Sequence, residues 1–445
     1  MLPLLIHQLL KGYVKKSLLL LAIKGLFEFE LIPRLTMDES HMHKKLAITA
    51  AVDVIAGNAD LLYEILLCLP ARSLIRFSIV CKLWRSIITS MQFRLSHCRT
   101  LAFSNALPPS GIYFYNCLTK PQKIESLPIT DNVTSLPPIQ FLDHMALNIR
   151  DTYEITQAKV TQSCNGLLMC VFTARTDRIT IKIGLVYNPA NKEARLLPIP
   201  DKKYDEFVYY NLIPDPSEPP YYTALCVTRL GSWYSDIDVS VYVPGSESWR
   251  SCCRSSVPSF MDFNGGVFWN GAIHWIGEYS SVYFDVYSEK VAMIMPPKPQ
   301  GYCSQKIRYF GEWGGHLHLI LVQSLYPKKF NVLELDKDTW KWSVKYRVHL
   351  ARLISAFPEM VRQTSSGTRY AFSILSVIRG ENIEDSVLLL TIPGKVVAYN
   401  LVRKTTKVVR ELPGEVVDTL RFNHISAYQY TESLFPVREW GIIKK

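Results

Sequence analysis

The chain has 445 residues, 48% of them hydrophobic, and its 24 Tyr, 19 Phe and 9 Trp carry more apolar surface than a disordered chain would. That length suggests roughly two to four ordinary domains, or fewer if one of them is a large all-β unit. The 50 Lys+Arg against 39 Asp+Glu give a net charge of +11, yet no basic run exceeds two residues and no aromatic-basic alternation is present, so no nucleic-acid partner is expected.

Residues 1–50 read as an N-terminal extension, either poorly ordered or derived from leader sequence upstream of Met37 or Met42. Lys11, Lys15, Lys16 and Lys24 break its two apolar runs. Neither run approaches the roughly 20 residues that span a bilayer, so no membrane partner is expected. The ten cysteines form no Cys-x-x-Cys pair, and several lie in apolar runs. They predict free thiols in a reducing compartment, the cytoplasm or nucleus.

From Asn58 the spacing turns helical. Leu61, Leu62, Ile65, Leu66 and Leu69 recur on one face, with Asn58 as the expected cap and Asp60 in the first turn. Pro70 ends this segment. Ser73 is the expected cap of a second helix bearing Leu74, Ile75, Phe77 and Ile79, and a third carries Leu83, Trp84, Ile87 and Ile88. About forty residues in three short helices cannot bury all this apolar surface among themselves. Six basic residues against Asp60 and Glu64 over 58–100 favour an acidic partner, with a helical cap packed on the following domain as the equal alternative.

The stretch from Asp60 to Ile88 (DLLYEILLCLPARSLIRFSIVCKLWRSII) resembles the plant F-box, D-L-L-x-E-I-L-x-x-L-P-x-x-S-L-x-R-F-x-x-V-[CS]-K-x-W-x-x-L-I, with more than a dozen residue types in register. The resemblance implies a trihelical F-box over 57–98 that docks the Skp-type adaptor of a cullin-RING ubiquitin ligase. It assigns the adaptor-facing or core-forming positions to Leu61, Ile65, Leu69, Pro70, Leu74, Val80, Cys81 and Trp84. The Leu-Pro that often opens the motif is missing, and Gly57-Asn58-Ala59 stands in its place.

Beyond Leu101 the period falls to two, and short runs of Val, Ile, Tyr and Phe alternate with turn residues. A loose unit recurs in which a strand ends on an aromatic or aliphatic residue, often followed by Asn or Asp, before a turn and a further strand. Its anchors are Tyr115, Tyr187, Tyr242, Phe284, Leu335 and Tyr399. Six units with gaps scattered around a roughly 50-residue blade predict a propeller-like β domain over 101–437, with a β-sandwich as the alternative. The fold class is therefore α+β multidomain, a small helical module followed by a mostly β body.

Ser163-Cys164-Asn165-Gly166-Leu167-Leu168-Met169-Cys170, then Val186-Tyr187-Asn188-Pro189-Ala190-Asn191-Lys192, resembles the signature of the plant F-box-associated domain, as does Gly265-Gly266-Val267-Phe268-Trp269-Asn270-Gly271-Ala272-Ile273-His274-Trp275. The pair of resemblances implies a non-catalytic substrate receptor, with the F-box joined to the adaptor and through it to cullin, and the β domain holding an unknown target protein. A protein-binding propeller scaffold without ligase function is the alternative.

Enzyme chemistry finds little support. His316-Leu317-His318 puts two imidazoles on one strand face, and His41-Met42-His43 is similar, but neither has further ligands nearby, so no metal or other cofactor is expected. Asp336 and Asp338 read as turn residues rather than paired carboxylates, and His274 as a packed core residue. No phosphate-cradling loop or nucleophile elbow occurs. Tyr209, Tyr210, Tyr221, Tyr222, Trp233 and Tyr234 fall in loop-like stretches around 204–222 and 232–238, a region suited to protein recognition, with core or inter-blade packing the equal alternative for any one of them.

Overall fold

A computed structural model describes residues 59–437, apart from 104–108, 117–122, 130–134, 140–152, 176–179, 201–206, 215–221, 231–235, 260, 278–279, 295–305, 323–327, 366, 381 and 413–426. The N-terminal extension, the Asn58 cap and His41/His43 lie outside the described residues. The chain divides into two compact units, Met1–His97 and Cys98–Lys445.

In the first unit, helix α1 spans Ala59–Leu67, α2 Ala71–Phe77, α3 Lys82–Thr89 and α4 Met91–Phe103. The fourth helix corrects the trihelical expectation and carries helical structure past Leu101. Its apolar residues and its polar ones are spread around the helix, so no amphipathic stripe marks it in the sequence. The expected cap at Ser73 is also corrected. Pro70 takes the N-cap position of α2 and Ser73 lies inside the first turn, because proline's fixed φ suits a helix start. At α3 the cap is Cys81, whose Sγ accepts the Trp84 N–H at 3.5 Å.

Leu62, Leu66, Leu69, Leu74, Ile88, Phe93 and Leu95 are buried in this unit. Tyr63 packs edge-on against Phe93 at 5.2 Å and donates to Ser96 Oγ at 3.1 Å. His97 Nε2 lies 2.8 Å from the Leu69 carbonyl oxygen, tying α4 to the end of the first helical segment.

The second unit is a six-bladed propeller. The first sheet contains β1 (Gly111–Asn116) and β2 (Lys123–Pro128). Two four-stranded sheets follow: β3 (Glu154–Cys164), β4 (Leu167–Arg175), β5 (Thr180–Asn188) and β6 (Glu193–Leu196); then β7 (Val208–Pro214), β8 (Tyr222–Leu230), β9 (Asp236–Tyr242) and β10 (Arg250–Ser256). The fourth holds β11 (Val267–Trp269), β12 (Ala272–Ile276), β13 (Ser281–Asp285) and β14 (Lys290–Ile294), and the fifth β15 (Lys306–Trp313), β16 (His316–Val322), β17 (Lys329–Leu335) and β18 (Trp342–His349). A short helix α5 (Ala351–Ala356) and a hairpin of β19 (Val361–Thr364) and β20 (Gly367–Tyr370) precede the sixth, β21 (Ser373–Ile378), β22 (Val387–Ile392), β23 (Lys395–Asn400) and β24 (Thr406–Glu411). The chain then returns to the first sheet. Strand β25 (Ala427–Tyr430) pairs antiparallel with β1, Gly111 opposite Tyr430 and Phe114 opposite Ala427, and so closes the ring.

The recurring unit has a local cause. Asn188, Asp285, Asp336 and Asn400 end the third strand of their blades, and each side-chain Oδ1 accepts a backbone N–H two or three residues on. Four residues after each comes a left-handed residue, Lys192, Glu289, Trp340 or Lys404, with φ between +52° and +59°. An Asx side chain that imitates a backbone turn is what the pattern of strand, Asn or Asp, and turn encodes. Five of the six anchors sit at or beside this third-strand end. Tyr115 instead lies near the end of the middle strand of the three-stranded closing sheet.

Amide side chains fasten neighbouring blades near the centre. Gln162 donates to the Leu212 carbonyl at 3.1 Å and accepts the Leu212 N–H at 2.6 Å, reproducing a strand pair where none exists. Gln429 on β25 reaches Tyr309 Oη at 3.0 Å and Ser376 Oγ at 2.9 Å, joining the closing strand to the fifth and sixth blades.

After β25 an extended strap, residues 431–437, is held against the second blade. Asn188 Nδ2 donates to the carbonyls of Ser433 (3.1 Å) and Phe435 (2.8 Å), and Asn191 Nδ2 to Phe435 (3.3 Å). The Val437 N–H donates to Glu193 Oε2 at 3.0 Å, and Ser433 Oγ to the Asn165 carbonyl at 2.9 Å. Phe435 and Val437 are buried in the apolar cluster of Leu167, Met169 and Tyr222. The two halves of the Ser163–Lys192 signature thus meet in one structural task.

Candidate functional site

Two features of the described residues could engage another molecule, and each belongs to one unit. In the helical unit the motif positions separate by burial. Leu69 and Leu74 are buried, Leu74 completely, while Leu61, Ile65 and Trp84 are half-buried and Pro70, Val80 and Cys81 exposed. Around the α2–α3 junction, Ile79 is 86% exposed, Val80 62% and Leu83 43%. Phe77 and Trp84 stack edge-on behind them at 5.2 Å. Two large aliphatic side chains in water on the short connection and a third in the first turn of α3 form a candidate interaction surface rather than scattered apolar residues. Sequence reasoning assigned Val80 but placed Ile79 and Leu83 only on helix faces. The signal was available: both belong to an apolar complement too large for three short helices to bury among themselves.

In the propeller, the inner strands surround a cavity of about 1130 Å³. Gln157, Lys159, Arg308, Phe268, Phe310 and Tyr428 are among its lining residues.

The titratable groups elsewhere serve the fold. His274 is 2% exposed, its Nε2 is 3.2 Å from the Trp269 carbonyl oxygen, and its ring stacks on Tyr283 and packs near Trp340. Burial pushes its pKa down to about 4, against the weaker pull of that carbonyl. Since the unfolded chain takes up the proton near the ordinary histidine value, this residue's contribution to stability is complete above about pH 6.5. It is lost as pH falls towards 4, by on the order of 3 kcal/mol. Urea unfolding between pH 7 and pH 4.5 should show that loss, and His274→Phe should flatten it. A His274→Phe profile parallel to wild type would contradict the assignment.

His316 and His318 come together on β16, as their spacing predicts, but what they meet is Glu334. His316 Nδ1 lies 3.3 Å and His318 Nε2 3.4 Å from its carboxylate, with Lys345 at 3.2 Å and Arg379 at 3.4 Å. Burial opposes ionisation of Glu334, but the His316 and His318 hydrogen bonds and the neighbouring charges prevail and hold its carboxyl far below the usual range. Among the described residues no group of three or more His, Cys, Asp or Glu could hold a metal ion. Asp336 sits in its turn, with Oδ1 accepting the N–H groups of Asp338 and Thr339. Burial raises the thiol pKa of Cys164 and Cys170 well above the ordinary range, the reverse of what a nucleophile needs.

For the described tyrosines of 204–222 the structure favours packing over recognition. Tyr209 and Tyr210 lie on β7 and Tyr222 on β8, with Tyr210 and Tyr222 in the core. Their hydroxyls end on backbone carbonyls, Tyr210 on Lys182 at 2.9 Å and Tyr222 on Val437 at 3.3 Å. Tyr221, Trp233 and Tyr234 lie outside the described residues.

Residues 118–420 match the family described as F-box associated beta propeller domain, and residues 59–96 match the F-box domain. An F-box protein of Arabidopsis thaliana is 29% identical over 406 residues, covering 86% of this chain and 92% of the relative. An F-box/kelch-repeat protein of the same plant is 27% identical over 230 residues, 50% of this chain and 59% of the relative. Among solved structures, the β-propeller domain of a protease from Pyrococcus furiosus is similar over 59% of this chain and all of its own, at 9% identity and a TM-score of 0.25.

Proposed function

Since this chain belongs to the F-box associated beta propeller family and carries an F-box domain ahead of the propeller, we propose that it is a substrate-recognition subunit of a Skp-cullin-F-box ubiquitin ligase. The exposed apolar surface of Ile79, Val80 and Leu83 supports this reading. It is solvated in the isolated chain and is what an adaptor groove would bury. Basic Arg76, Lys82 and Arg85 are exposed beside it, which suits an acidic partner.

The subunit performs no bond chemistry. It raises the effective concentration of target lysines near a ubiquitin carrier that the adaptor and cullin bring. Its place of action is the cytoplasm or nucleus. The buried members of the motif, Leu69 and Leu74, hold the helices so that the exposed ones present a fixed face.

The test is capture of a purified plant Skp-type adaptor by the full chain. Ile79→Asp/Val80→Asp, at exposed positions, should leave the thermal unfolding profile unchanged and weaken capture at least about thirtyfold, as loss of a central apolar hot spot does. No capture by the wild-type chain, or undiminished capture by the double variant, would overturn the proposal.

A further inference from the structure

The propeller's central cavity offers a second binding site, and its lining points to the chemistry of its occupant. At about 1130 Å³ it exceeds the roughly 300–1,000 Å³ of ordinary small-molecule pockets. Three cationic side chains line it: Lys159 from the inner strand β3, Lys182 from β5 and Arg308 from the inner strand β15. Lys159 is exposed, and Lys182 stands over the Tyr209 ring at 5.2 Å. Arg308 is only 7% exposed, so its guanidinium is shielded from bulk water and its field is weakly screened.

The two acidic residues of the same lining are engaged within the chain. Glu312 accepts the Gly315 N–H at 2.6 Å, and burial favours its neutral form. Asp262 accepts both the backbone N–H and the side-chain amide of Asn264 at 2.9 Å. Three cationic side chains against these two acids leave the lining net positive, with half-buried Phe268 and Phe310 beside it.

We infer that this cavity receives an acidic peptide segment of the captured protein, with carboxylates facing Lys159 and Arg308 and apolar side chains against Phe268 and Phe310. The inference rests on the receptor reading for the identity of the partner, but the charged and aromatic residues it invokes all lie on propeller strands. A peptide fits better than a small anion, because the volume of about 1130 Å³ exceeds that of ordinary small-molecule pockets and the lining combines charge with aromatic surface.

Random dodecapeptides displayed on phage, panned over the full-length protein, provide the probe. Enriched sequences should be net acidic. A labelled peptide made from the commonest of them should bind in fluorescence anisotropy with an affinity that falls as salt rises. Lys159→Glu, at an exposed position, should weaken it about tenfold or more, and Arg308→Gln should do likewise. No enrichment, enrichment of neutral or basic sequences, or equal binding by Lys159→Glu would overturn the inference. Adaptor capture is measured on the same preparations, which separates the two proposals. Capture without acidic-peptide binding removes only the cavity site, and peptide binding without capture removes only the ligase reading.

Discussion

Replacing Gly166 with alanine should destabilise the propeller by roughly 2–5 kcal/mol. Gly166 turns the β3–β4 hairpin at φ +84°, where an L side chain costs about 1–2 kcal/mol. A Cβ there would also collide with the Ser433 hydroxyl and stand 2.7 Å from the Thr431 carbonyl oxygen, so the strap must lift or the hairpin must shift. Overpacking of that kind costs about 1–3 kcal/mol. Gly271 is the internal control. It occupies the same place in the β11–β12 hairpin at φ +76°, but nothing lies within 4 Å of its would-be Cβ. Gly271→Ala should therefore show the backbone cost alone. Differential scanning calorimetry of the two variants decides the matter. Equal losses would mean that the strap does not press on the hairpin.

Leu74→Asp should unfold the helical unit, whereas Asp at the neighbouring exposed position 80 should not. Leu74 is fully buried. Removing its side chain alone is worth about 2–5 kcal/mol, and a carboxylate left unpaired in its place adds several more. A module of this size holds only about 3–5 kcal/mol in its core. Limited proteolysis should cut Leu74→Asp between residues 59 and 97 at a protease concentration that leaves Val80→Asp intact there. Survival of Leu74→Asp would show that the unit draws its stability from elsewhere. The comparison also guards the adaptor experiment, since loss of capture in Leu74→Asp says nothing about the docking surface itself.

Much of this was legible because it is local. The F-box motif sits within thirty residues, and its helical spacing follows from elementary amphipathicity. The Asx turns announce themselves as Asn or Asp at strand ends, which is why the blades could be anticipated from anchors alone. What escaped the sequence is non-local or unpatterned. Helix α4 has no apolar stripe. The tyrosines of β7 and β8 stand among prolines and acidic residues, yet their rings fill the core and only their hydroxyls needed polar partners. The partnership of Asn188 with Ser433 and Phe435 spans about 245 positions, beyond any periodicity. The exposed apolar face was half legible: the motif named Val80, but only the fold separates it from the buried Leu74 six residues earlier.

Closure of the ring by β25 also sets a schedule for the protein's birth. Strand β1 must wait for a partner about 300 residues downstream. At ribosomal speeds of roughly 5–20 residues per second, that is about 15–60 s with an open sheet edge in the crowded cell. The helical module emerges long before, so on the proposed ligase reading adaptor engagement can begin before the ring is closed. On the ligase reading proposed above, a chain halted between the helical module and Ala427 would keep the exposed face of Ile79 and Val80 but lack the closed propeller, and would occupy adaptors without delivering cargo.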